Sequence, residues 1–191
     1  MKWLPFIVLV ALLLSAVWHD VRSRRIPNRL VLVGMALAGV LQLVLPAGAG
    51  LFIEPFGSIG ILWSAAGFGL GLALLLPMYA LRALGAGDVK LLAMIGAFVG
   101  PRAVCGIAVT ALVAGGVLAV AVALHQGTLK RMLANSMHLI MSSVFGALGG
   151  QSPAIEAPAA PSGKLPYAIA LACGALPYLV VAAVCGESLF A

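Results

Sequence analysis

Long apolar stretches alternate with short polar gaps along this chain. Stretches near the roughly 17 to 25 residues that cross a bilayer run at about Trp3 to Trp18, Leu30 to Leu45, Gly57 to Leu81, Asp88 to Gly100, Ala103 to Leu124 and Leu165 to Phe190. The pattern predicts an all-α fold: a polytopic transmembrane helix bundle of about six spans. The first, second and fourth stretches are short and are expected to recruit flanking residues, the fourth from the glycine-rich segment before it.

The longest gap has a different rhythm. Leu129, Met132, Leu133, Met137, Ile140, Met141 and Val144 recur at helical spacing, and Lys130, Arg131, Asn135, His138 and Ser142 occupy the other positions. This predicts an interfacial amphipathic helix over residues 126–150 on the cytoplasmic leaflet, in preference to a substrate or partner groove. Residues 151–163 are rich in Gly, Pro, Ala and Ser and read as a flexible linker. With no internal repeat, residues 1–191 read as a single integral membrane domain.

Composition agrees with the pattern. The chain is 63% hydrophobic and 8% charged over 191 residues, against about 25% charged residues in soluble domains. The net charge of +6 is scattered through the gaps and forms no continuous patch with interleaved aromatics, so nucleic acid is not an expected partner. The basic residues instead report topology. Arg22, Arg24, Arg25, Arg29, Arg82, Lys90, Lys130, Arg131 and Lys164 fall on one side, and Lys2 and Arg102 on the other. The positive-inside bias then predicts both termini outside. Lys2 and the apolar run after it resemble a secretory signal, but the arginine cluster that follows argues against export of the rest, and the segment is read as a retained span.

Cys105, Cys173 and Cys185 lie singly in apolar runs, and His19, His125 and His138 are dispersed. No pair has metal-ligand spacing, so neither a metal nor a cofactor is expected.

The chain contains two aspartates, Asp20 in HDVRSRRIPN and Asp88 in LGAGDVKLL. The charge count places both at the same cytoplasmic depth. An Asp at the centre of a spanning helix costs roughly 2.5 to 3.5 kcal/mol on insertion, which makes intramembrane acids functional candidates; the competing reading is that each merely ends a helix. Pro27 disfavours helix at Ile26, and Asn28 is expected to N-cap the following helix. Gly85 and Gly87 leave the backbone before Asp88 uncrowded. Asp88, with Lys90 two residues on, opens span four at the positive end of its dipole, worth roughly 0.3 to 1 kcal/mol to a carboxylate. Asp20 lies near a C-terminal helix end. On that ground Asp88 is expected to ionise first, with Arg22 to Arg25 pulling the other way.

Asp20 followed by RIPN, and later GAGDVKLL with its G-x-G-D core, resembles the type IV prepilin peptidases, membrane aspartyl proteases of the G-x-G-D group. The likeness covers nearly the whole chain, including, more loosely, the KLPYAIAL start of the last span. It implies that Asp20 and Asp88 are the catalytic pair, with Gly85 and Gly87 in support. His19-Asp20 departs from the Tyr-Asp pair of the presenilin branch. The short gap between the first two spans lacks the C-x-x-C domain that larger family members use for methylation. The compact chain is similar to the peptidases of tight-adherence (Flp-type) pilus systems. The resemblance implies a bacterial inner-membrane enzyme that acts on prepilin-like proteins carrying a basic leader and an apolar helix. A small ion-coupled transporter with paired acids is the alternative, but it predicts acids at the midplane and an inverted repeat.

Overall fold

The computed structural model describes residues 3–52, 56–80, 84–130, 134, 137 and 167–185. Among them are six helices: α1 (Trp3–Ser23), α2 (Asn28–Val44), α3 (Ile61–Ala80), α4 (Ala86–Val99), α5 (Pro101–His125) and α6 (Tyr167–Cys185). No strand occurs among the described residues, only two isolated bridges in the α2–α3 connection. Each predicted span has its helix. Segments Leu4–Ser23, Ile61–Ala80 and Pro101–His125 are long and apolar enough to cross a bilayer, with Asn28–Val44 and Tyr167–Val181 shorter. The molecule is a membrane helix bundle.

The chain divides into one compact unit of residues 1–115 with 166–191 and a second of residues 116–165. In the second, α5 ends at His125, and Gly127 just beyond it takes a φ of +66° that lets the Thr128 amide reach back to the Ala123 carbonyl, a Schellman-type stop. Most of the predicted amphipathic helix, and the whole predicted linker, lie outside the described residues.

Within the first unit α4 is the central element. From Leu91 to Phe98 every residue is buried, so its apolar character is continuous and not one-sided. Helices α2 and α3 bury narrow stripes against it in which small residues alternate with a few larger ones. Val31, Gly34, Ala38 and Gln42 form one stripe, and Ser64, Gly67, Gly71 and Leu75 the other. Most of their other large side chains point outward, with Leu43, Val44 and Leu62 all more than 70% exposed. This is the reverse of a soluble protein and suits a hydrocarbon solvent, where small residues bring helices close. The tightest crossing joins α3 to α4, because a Cβ on Gly67 or on Gly96 would collide with the other's carbonyl oxygen. The Ser64 hydroxyl donates to the Ala97 carbonyl nearby (2.7 Å). Gly96→Val is therefore expected to cost about 1–3 kcal/mol or more through overpacking. It should lower the melting temperature of the purified protein, whereas Gly69→Val, at an open position, should leave it unchanged.

Candidate active site

The inward face of α1 carries Leu9, Leu13, Ala16 and Asp20, spaced by three or four residues so that they fall in one row. The helix runs five residues past the apolar stretch because nothing in HDVRS interrupts it. His19 and Arg22 are exposed while Asp20 remains 8% exposed. The helix stops where Arg24 takes a left-handed φ of +51° and its amide bonds to the Asp20 carbonyl (2.8 Å).

Helix α4 brings in the second acid. Gly85 is extended (φ −80°, ψ 151°), α4 begins at Ala86, and the Asp88 side chain turns back so that Oδ2 accepts from the Gly85 amide (3.2 Å). Asp88 is also 8% exposed. The two carboxylates lie at the same end of the bundle, close enough for the charge of Asp20 to act on Asp88. Helices α1, α4 and α6 pack against one another around them.

The flanking motifs interlock. A Cβ on Gly87 would stand 3.1 Å from Cβ of Ile26, so the glycine leaves room for the RIPN segment to lie on the start of α4. Lys90 Nζ donates to Asn28 Oδ1 (3.1 Å). This corrects the expected role of Asn28. Pro27 occupies the N-cap position, with no side-chain cap bond, and its carbonyl receives the Leu30 amide (3.1 Å). Pro27 at ψ 129° already sets the turn into α2, so Asn28 falls inside the helix and its side chain joins the two motifs.

The start of α6 is the contribution that the sequence did not disclose. Asp20 Oδ2 accepts from the Ala168 backbone amide (3.1 Å), and the neighbouring Tyr167 ring lies against Gly115. The Tyr167 hydroxyl is buried without a hydrogen-bond partner among the described residues and feels the charge of Asp88. A backbone donor leaves no trace in residue type; only KLPYAIAL, as a loose motif, pointed here. The Ala168 contact also removes the basis for ranking the two acids by helix dipole. Asp20 is near the end of α1 but caps the beginning of α6, so both carboxylates sit on positive helix ends.

Among the described residues no group of three His, Cys, Asp or Glu side chains converges. Cys105 and Cys173 are free and exposed.

Fold and site together define a membrane helix bundle with two buried, mutually repelling carboxylates at one end. The chain belongs to the type IV leader peptidase family, whose model matches residues 7–120 and so takes in both aspartates. No curated protein and no solved structure matches it.

Proposed function

We propose that this protein is an aspartic endopeptidase that removes the basic leader from prepilin-like substrates at the cytoplasmic face of the bacterial inner membrane, with Asp20 and Asp88 as its catalytic pair. The observation that carries the reading is the convergence of the chain's two aspartates, buried from different helices into one electrostatically coupled site. Membership of a leader peptidase family supports the substrate class.

Two adjacent carboxyls resist ionising together, so the pair holds one proton between them. The ionised member takes a proton from water, which attacks the scissile carbonyl. The protonated member donates to the carbonyl oxygen, and collapse of the tetrahedral intermediate returns a proton to the leaving amine. Both positive helix ends stabilise whichever carboxylate is ionised, so either aspartate can act as base. The chemistry needs no metal or organic cofactor. Gly85 and Gly87 keep the approach to Asp88 open. Pro27, Asn28 and Lys90 hold the α1–α2 connection beside it. The cytoplasmic assignment rests on Arg22, Arg24, Arg25, Arg29 and Lys90, which share the acids' end of the bundle, and on the positive-inside bias. A substrate helix ending in a basic leader would present its cleavage bond at that depth.

Co-expression with a prepilin, followed by mass spectrometry of the mature pilin, tests the reading directly. The expected product has lost its leader and carries a free, unmethylated N-terminus, since the four residues between α1 and α2 leave no room there for a methyl-donor domain. An intact leader would overturn the peptidase assignment, and an N-methyl group would overturn the single-activity assignment.

A further inference from the structure

Tyr167 opens α6 beside the aspartate pair, and its hydroxyl is turned inward. A tyrosine at the end of a membrane helix ordinarily directs its polar tip to the headgroup layer. Here part of the residue is exposed, yet the hydroxyl oxygen is buried and meets no hydrogen-bond partner among the described residues. A buried donor without an acceptor destabilises a fold, so its placement calls for a functional reason. The inward orientation is built into the packing. A Cβ on Gly115 of α5 would stand 3.0 Å from Cε2 of the Tyr167 ring and 3.7 Å from its Cδ2, so the glycine leaves the slot in which the edge of the ring rests.

The same turn of α6 touches both acids. The next residue, Ala168, donates its backbone amide to Asp20 Oδ2 (3.1 Å), and Tyr167 is close enough to Asp88 to feel its charge. Neither carboxylate bonds to the hydroxyl. Each is seated instead by a backbone amide, Asp20 by Ala168 and Asp88 by Gly85. The gap between hydroxyl and carboxylates is where a peptide bond and a water would have to sit for two-carboxylate chemistry. Of those two, the water already has an acceptor for its proton in the ionised carboxylate, and a donor aimed at it would engage the lone pair that attacks. The carbonyl oxygen gains negative charge as the water adds, and a donor fixed beside it grows stronger at that moment.

We propose that Tyr167 is a third catalytic residue of this site, its hydroxyl donating a hydrogen bond to the scissile carbonyl oxygen as the tetrahedral intermediate forms. The hydroxyl keeps its proton throughout. The proton of the water goes to the ionised aspartate and the carbonyl oxygen receives its proton from the other one, so Tyr167 adds stabilisation and transfers nothing. Substrate supplies the partner that the hydroxyl lacks at rest. This role rests on the peptidase reading and adds to it a donor that belongs to neither aspartate motif.

Prepilin cleavage by the purified full chain in detergent, wild type beside Tyr167→Phe, tests it. The substitution keeps the ring that fills the Gly115 slot and removes only the hydroxyl. The expected result is a kcat lower by about ten- to a hundredfold, the range for a hydrogen bond to a charged group, with KM unchanged to within about twofold. A peptide inhibitor carrying a tetrahedral hydroxyl in place of the scissile bond should bind more weakly by a similar factor. The melting temperature should hold or rise, because an unsatisfied buried group has gone. An unchanged kcat would overturn the proposal, and a raised KM with unchanged kcat would overturn it in favour of a substrate-docking contact. A lower melting temperature would overturn it in favour of a hydroxyl bonded within the protein. Asp20→Asn in the same assay separates the two claims: ready cleavage by that variant sinks the assignment of the acids, whereas an inactive Asp20→Asn beside a fully active Tyr167→Phe sinks only the role of Tyr167.

Discussion

Asp20→Asn and Asp88→Asn are each expected to abolish leader removal while the protein remains in the membrane at normal abundance. The substitution keeps the size of the side chain, and the amide oxygen can still accept from Ala168 or Gly85, the contacts that seat the two carboxylates. What disappears is the ionisable group. General acid or base catalysis contributes about 10²- to 10⁴-fold per group, so residual cleavage should fall to about one per cent or far less. An immunoblot for precursor and mature pilin, run beside a blot of the membrane fraction, reads both quantities. Ready cleavage by either well-expressed variant would remove that residue from the catalytic pair. Because the acids repel one another, the double variant should be no worse than either single one, as for residues that act as a unit.

The helices were legible because bilayer length and apolar content leave few alternatives. Their ends were not. Helix α1 continues to Ser23 because polar residues do not break a helix; it takes Arg24 in a left-handed conformation to do so. Helix α3 begins at Ile61 although the apolar stretch starts at Gly57, because Ser58 and Ile59 are bound to Gln42. Gln42 itself, buried at 4% exposure in the middle of an apolar run, is a polar anchor that hydropathy alone does not single out. At the site, Asp20 and Asp88 were legible because acids are rare and costly in such a chain. The amide of Ala168 was not, since every residue but proline offers one. The same blindness undid the dipole ranking of the acids: sequence shows the helix an aspartate belongs to, not the helix it caps. Asn28 was assigned to capping on local preference, while its partner, Lys90, is 62 residues away.

Gly87→Val is expected to lower cleavage about a hundredfold or more without removing any group that touches substrate. The introduced Cβ would lie 3.1 Å from Cβ of Ile26 and 3.3 Å from its Cγ1, and the two methyls of valine add bulk on both sides. Ile26 precedes Pro27, whose ring restricts the backbone there, so the RIPN segment cannot yield by a simple rotation. The start of α4 must then move away from the α1–α2 connection, carrying Asp88 relative to Asp20 and opening the Lys90–Asn28 contact. A displacement of about 1 Å can cost a hundredfold in rate. The steric cause has its own signature: Gly87→Ala should be a milder defect, and pairing Gly87→Val with Ile26→Ala should recover a large part of the lost activity, since the smaller side chain frees the space the valine needs. Activities of the three variants and of Ile26→Ala alone, measured on one prepilin substrate, complete a double-mutant cycle. Additive losses with no recovery would show that Gly87 is required for the backbone conformation before Asp88 and not for the room it leaves to Ile26.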